Sequence, residues 1–158
     1  MALWRLFYHL VWSTKDRQPM ITQEIEQKLY GYIIGKAHAL ECITHAIGGI
    51  EDHIHIVASI PPKLSIAAYV QKIKGSSSHR VNHGMPGIAS KLYWQRGYGV
   101  FSLGEKHLGR VVAYVLNQKE HHQKQQLITV LERENEEDDC PAPWNNGEAI
   151  AGIEIIRQ

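Results

Sequence analysis

His53-Ile54-His55 and Tyr114-Val115-Leu116-Asn117-Gln118 are the two short segments of this chain whose residue types could do chemistry. Side chains alternate between the faces of a β-strand, so residues two apart point the same way. A strand here puts both imidazoles on one face, about 7 Å apart, with Ile54 and Ile56 on the other. Two such rings can grip a single ion. The chain has ten histidines, and a pair of partly exposed sheet histidines would read the same way. In the second segment, positions i and i+4 lie one above the other on a helix. Tyr114 and Gln118 then share a stripe that continues to His121 or His122, while Val111, Val112, Val115 and Leu116 fill the other side. A phenol titrates near ~10 in water, so a tyrosine nucleophile needs help from its surroundings. A divalent ion that neutralises a phosphodiester and steadies the leaving oxygen would supply it. No dedicated general base stands out. Glu51 and Asp52 lie beside the histidine pair, where a tight turn explains them equally well.

The elements that must position these groups can be read in order. Leu3 to Thr14 is aromatic and β-branched and predicts a buried strand. Thr22 is placed to cap a helix over 23–40, with Ile25, Leu29, Ile33 and Ala37 at helical spacing. Residues 43–50 and 53–60 predict two strands joined at Glu51–Asp52, and Pro61–Pro62 stops the second. Ser65 is placed to cap a helix running to about Val81. Residues 92–102 carry aromatics and glycines that suit an irregular fourth strand, and Leu108 to about Leu131 predicts one long helix. The order β, α, β, β, α, β is the ferredoxin-like (RRM-like) split motif, an α+β fold with an antiparallel sheet, here followed by an additional C-terminal helix.

The bulk properties narrow the classes. A chain of 158 residues is about one domain and can bury a working core. No stretch approaches the roughly 20 apolar residues of a membrane span, and no signal peptide is evident. Cys42 and Cys140 are far apart and make no metal motif, so the expectation is a cytoplasmic protein with free thiols. The net charge of +1 conceals a division along the chain. Residues 61–110 carry eight basic side chains and one acidic one, a net of +7, interleaved with Tyr93, Trp94 and Tyr98. That pattern suits a polyanion with stackable bases, or a solvated charged face. Residues 131–158 carry a net of −6, and Glu132 to Asp139 read as a solvated helix end or linker.

Five stretches together resemble a known family. They are Tyr8-His9-Leu10-Val11-Trp12-Ser13-Thr14-Lys15 with Arg17 and Pro19; Asp52-His53-Ile54-His55; Lys72-Ile73-Lys74-Gly75 with Ser77-Ser78; Trp94-Gln95-Arg96-Gly97-Tyr98-Gly99 with Phe101-Ser102; and Tyr114 to Gln118 with His121-His122. In this order and spacing the chain resembles the HUH-type single-tyrosine transposases of small bacterial insertion sequences, and their relatives acting on repetitive extragenic palindromes. The resemblance runs from about residue 5 to residue 125. It implies a transposase domain over 1–130 and leaves 131–158 as an acidic tail that does not align.

The resemblance further implies an enzyme that cleaves and rejoins single-stranded, hairpin-bearing DNA by metal-assisted transesterification. Tyr114 would be the nucleophile and would form a 5′-phosphotyrosine. His53, His55 and Gln118 would be the metal ligands, with Mg²⁺ or Mn²⁺ as the cofactor. Imidazole by itself suits zinc, nickel or copper better, which makes manganese the easier compromise. Lys15, Arg17, Lys72, Lys74, Arg80 and Arg96 are the candidate phosphate contacts, which position DNA without reading its sequence. A homodimer with shared active sites is also implied, and the glycines at 97, 99 and 104 would permit an exchanged helix. The competing readings are a domesticated relative that processes chromosomal palindromes, a catalytically silent ferredoxin-like nucleic-acid-binding module, and a simple metal-binding dimer.

Overall fold

The computed structural model describes residues 2–124, 127 and 132–134. Four strands, β1 (Phe7–Ser13), β2 (Ile43–Ile50), β3 (His53–Ser59) and β4 (Gly99–Leu103), form one antiparallel sheet in the order β2-β3-β1-β4. Helices α1 (Gln23–Ala39) and α2 (Ile66–Gly84) cover one face. The last helical region covers the other and comes in two pieces, α3 (Leu108–Leu116) and α4 (Gln118–Gln123). The α+β, ferredoxin-like expectation holds, with the added helix on the open side of the sheet.

Strand register decides which side chains meet. Opposed residues of an antiparallel pair share a face. Leu10↔Ile56, Trp12↔Ile54 and Tyr8↔Ala58 point toward α1 and α2, where Ile25, Leu29, Ile33, Tyr69 and Ile73 complete the main core. Val11↔His55, Ser13↔His53 and His9↔Val57 point the other way, toward α3. A smaller apolar cluster of Ala46, Val57, Val111, Tyr114 and Val115 seats α3 on that face. The histidine pair therefore lies under the helix that carries Tyr114.

Close approach of α3 depends on glycine. A Cβ on Gly48 would lie 2.1 Å from the Val115 carbonyl oxygen, and that neighbour is backbone, which cannot swing aside. Gly48→Ala should therefore cost about 1–3 kcal/mol of stability, the usual range for overpacking, and lift α3 off the sheet. A urea unfolding curve that coincides with the wild type would refute this.

Several boundaries differ from the sequence reading. β1 starts at Phe7 rather than Leu3. β4 is only Gly99–Leu103, and Trp94 instead makes a lone bridge to Thr14. Asn82 holds both backbone groups of Leu92, so the chain there is tied down by side chains rather than by a ladder. Ser65 caps α2 as expected, accepting from the Ala68 N–H. Thr22 precedes α1, but its hydroxyl makes no capping bond. The single long helix is interrupted at Asn117, at φ −105° and ψ 24°, where the side chain turns back to donate to the Ala113 carbonyl. Its expected extension toward Leu131, Cys140 and residues 135–158 lie outside the described residues. Cys42 is a buried free thiol. Among the described residues no helix is long and apolar enough to cross a membrane.

Candidate active site

Both imidazoles of the histidine pair are buried, His53 at 1% and His55 at 0% exposure, and each has a partner at Nδ1. His53 Nδ1 faces Asp52 Oδ1 at 2.6 Å, and His55 Nδ1 faces His9 Nε2 at 2.8 Å. Their Nε2 atoms are left to face the site. Such outer partners orient a metal-ligating histidine and fix which nitrogen is available. Asp52, explicable from sequence as a turn residue, thus has a second role. Its carboxylate also lies 3.9 Å from Arg17 Nη1. Arg17 and Asp16 both take left-handed backbone angles, φ 51° and 54°, as the chain turns off β1 beside the site.

Gln118 and His122 face each other across one turn of α4, Oε1 to Nε2 at 3.2 Å. His122 Nε2 also lies 3.1 Å from His53 Nε2. Tyr114 is 4% exposed, one turn before Gln118, with its ring stacked on His121 at 4.7 Å and edge-on to His55 at 6.0 Å. The break at Asn117 preserves this offset: the Asn117 backbone N–H still donates to the Ala113 carbonyl, and the Gln118 side-chain amide reaches back to the Tyr114 carbonyl at 3.3 Å.

Glu132 joins these groups. The Tyr114 hydroxyl donates to its Oε1. Its Oε2 lies 3.1 Å from His55 Nε2 and 3.5 Å from His53 Nε2. The neighbouring Glu134 accepts from the Ser13 hydroxyl at 2.5 Å and lies 3.4 Å from Arg17 Nη2. Instead of standing in solvent, the start of the acidic run folds back into the site. The segment passes close over the sheet: a Cβ on Gly99 would meet the Arg133 carbonyl oxygen at 1.8 Å.

The electrostatics favour a cation. Burial lowers the pKa of His55 and of His122, which keeps both neutral at pH 7. Burial pushes the Glu132 carboxyl up, but the hydrogen bonds from His55 and the Tyr114 hydroxyl outweigh it and hold the group well below the usual carboxylate range. An ionised carboxylate therefore faces several ring nitrogens. His53, His122 and Glu132 offer donor atoms all within 4.8 Å of one another. Bonds of about 2.1 Å to a metal imply donor–donor edges of roughly 3.0–3.4 Å, close to the 3.1 Å from His53 to His122 and the 3.5 Å from His53 to Glu132. The donor set thus fits a divalent ion. The Glu132 carboxylate, with the Gln118 amide oxygen 3.2 Å from His122, moves the preference from zinc toward manganese or magnesium and eases the mismatch that imidazole alone presents.

His9 is fully buried, and its pKa is driven down to about 3 by burial and then by the nearby His55. The unfolded chain takes up a proton near 6.5 that the folded chain refuses until about 3. Stability gained above pH 6.5 is therefore lost as pH falls through that window, by on the order of a few kcal/mol. With divalent ions chelated, unfolding free energy should drop between pH 7 and 4, and less steeply in His9→Phe. Equal slopes would show that His9 is protonated in the fold.

The candidate phosphate contacts separate into groups. Lys15 and Arg96 line a groove of about 910 Å³ with Tyr93, Trp94, Gln95 and Tyr98, beside the end of β1. Lys74 also borders it, but its ammonium donates to the Gln95 and Gly97 carbonyls at 2.6 and 2.8 Å, so it shapes the loop. Arg17 is paired with Asp52 and Glu134. Lys72 is exposed on α2, and Arg80 lines a separate cavity with Lys28 and Tyr32.

The family described as "Transposase IS200 like" matches residues 2–118. The chain belongs to the IS200-like transposase family. It is similar to the ISDra2 transposase TnpA of Deinococcus radiodurans, 27% identical over 122 residues that cover 73% of this chain and 86% of that protein. It is also similar to the transposase for insertion sequence element IS200 of Salmonella typhimurium, 26% identical over 136 residues, 80% of this chain and 86% of the relative. A REP-associated tyrosine transposase solved bound to a REP hairpin shares the fold, with a TM-score of 0.57 at 15% identity, covering 80% of this chain and 76% of that one. In this IS200-like chain the matched stretch contains His53, His55, Tyr114 and Gln118, whereas His122 and Glu132 lie past its end.

Proposed function

We propose that this IS200-like transposase cleaves and rejoins single-stranded DNA through Tyr114, using a divalent cation, Mn²⁺ or Mg²⁺, held by His53, His55 and Gln118 with His122 and Glu132 in reach. One observation carries the reading. The Tyr114 hydroxyl and the Nε2 atoms of both histidines converge on the two oxygens of a single carboxylate, Glu132. A nucleophile and a cation site one carboxyl group apart leave room between them for one phosphate, which must take the place of that carboxylate.

The cation, when bound, neutralises the phosphodiester and stabilises charge on the leaving oxygen. The chain's own residues do the rest. His121 stacks against the Tyr114 ring and holds it beside His55, and the Glu132 carboxylate that accepts the hydroxyl's hydrogen bond gives way to the incoming phosphate. The tyrosine oxygen forms a bond to phosphorus as the bond to the 3′ oxygen breaks. The phenolic proton leaves, and one proton ends on the released 3′-hydroxyl, so charge balances. A second 3′-hydroxyl then attacks the 5′-phosphotyrosine, the new phosphodiester forms, and Tyr114 regains its proton. Bond energy is kept in the covalent intermediate, so no nucleotide is needed.

The groove of Lys15, Tyr93 and Arg96 suits an unpaired strand leading away from the site, with phosphates on the cations and a base against the half-exposed Tyr93. Hairpin DNA is the substrate to try first, given the hairpin bound by the REP-associated neighbour.

In one chain Tyr114 stands beside its own His55. If the protein pairs as a homodimer, each active site is complete within a subunit. Mixed Tyr114→Phe and His53→Ala subunits should then show no cleavage, and recovered activity would put the tyrosine on the partner. The direct test of the function is incubation of end-labelled hairpin DNA with the protein and Mn²⁺. A protein–DNA adduct is expected, and binding without an adduct on every substrate tried would leave only a binding module.

A further inference from the structure

His9 is a fully buried polar residue at the site that the proposed chemistry does not use. It lies on β1 opposite Phe101 and diagonal to His55, on the sheet face that α3 covers. Its neighbours would accept an apolar ring: Phe101 lies parallel at 6.1 Å, and Phe7 shares its strand face. Yet an imidazole is there, and its Nε2 lies 2.8 Å from His55 Nδ1. The two ring planes are 16° apart and the centroids 5.0 Å apart. With the nitrogens so close, the rings sit side by side in nearly one plane, the alignment of an N–H···N hydrogen bond rather than of a stack.

A neutral imidazole has one N–H. If the His55 Nε2 lone pair is given to a cation, the proton of His55 must sit on Nδ1, and a buried N–H needs an acceptor. His53 has the Asp52 carboxylate for this purpose. His55 has His9.

We propose that His9 is the positioning residue for His55: its Nε2 accepts the His55 Nδ1 proton and so holds the His55 Nε2 lone pair toward the cation. This rests on the reading that the site binds a divalent ion. The proton of His9 itself then sits on Nδ1, which has no partner among the described residues, so the arrangement leaves one N–H unpaired at His9 and no described group carries a proton further. The role is orientation and choice of tautomer, not delivery of a proton. It also accounts for a histidine, rather than a phenylalanine, between Phe7 and Val11 on this face.

The test uses the full chain and two readouts other than turnover. In titration calorimetry with Mn²⁺, His9→Phe keeps the aromatic packing but removes the acceptor, and should bind roughly 10–100-fold more weakly, the usual effect of losing such a partner. His9→Gln supplies an acceptor oxygen and should bind close to wild type. In ¹⁵N-histidine spectra of the wild-type protein loaded with diamagnetic Zn²⁺, His55 should carry its proton on Nδ1, hydrogen-bonded to an unprotonated His9 Nε2. Unchanged Mn²⁺ affinity in His9→Phe would overturn the proposal. So would equal losses in both variants at unchanged melting temperature, or a His55 proton found on Nε2 in the loaded protein. If neither variant folds, the wild-type spectrum decides. Wild-type protein that binds neither ion would sink the cation reading itself, whereas ion binding indifferent to His9 would sink this inference alone.

Discussion

Tyr114→Phe should abolish strand cleavage while the protein still folds and still binds hairpin DNA. The substitution removes one oxygen from a side chain whose ring is already seated between His121 and His55. Ring packing persists, so melting temperature should move little, apart from the lost hydrogen bond to Glu132. Catalysis differs because the neighbouring Ser13 hydroxyl donates to Glu134, whereas only the Tyr114 hydroxyl shares a carboxylate with the histidine pair among the described residues. Loss of a nucleophile leaves only binding and electrostatic contributions, so the rate should fall by about 10⁴-fold or more. End-labelled DNA on a denaturing gel reads both the cleaved strand and the adduct. Residual cleavage within tenfold of wild type would mean that another group, or water, attacks.

His53→Ala has the next largest expected effect, and it acts through the cation. His53 Nε2 stands at the junction of the site, 3.1 Å from His122 Nε2 and 3.5 Å from Glu132 Oε2. Removing it breaks the cluster and strands Asp52, whose carboxylate loses its ring partner. Affinity for Mn²⁺ should drop at least about 100-fold, and cleavage with it, because a phosphodiester without charge neutralisation resists an incoming phenol. Chelation of the wild type should give the same silent protein, with hairpin binding retained. Wild-type cleavage that survives a chelator would separate the histidine cluster from the reaction.

Much of this arrangement was legible in the sequence because it follows from periodicity. Strand alternation put His53 and His55 on one face, and the register Val11↔His55 shows which face that is. Helical spacing put Gln118 one turn after Tyr114, and the relation survived the break at Asn117 because the backbone bond from Asn117 to Ala113 is kept. Contacts that join distant parts of the chain were not legible. Glu132 sits in an acidic run with no local sign that it folds back, and its place depends on Gly99 allowing the Arg133 backbone to cross β4. His9 could have been suspected from its parity with Val11 and Ser13, but only the β1–β3 register makes it a diagonal neighbour of His55. The charge of Lys74 marks it as a candidate phosphate contact, but only the fold shows its ammonium donating to the Gln95 and Gly97 carbonyls.

The central claim is that one phosphate enters between Tyr114 and the histidine pair and becomes bonded to the tyrosine oxygen. Peptide mapping by tandem mass spectrometry tests it most directly. Wild-type protein is incubated with a single-stranded hairpin substrate and Mn²⁺, the adduct is digested with protease and nuclease, and the modified residue is located. The expected result is a 5′-phosphonucleotide on Tyr114, with a free 3′-hydroxyl on the released strand. A modification on any other residue, or cleavage with a 5′-phosphate and no adduct at any time point, would contradict the account.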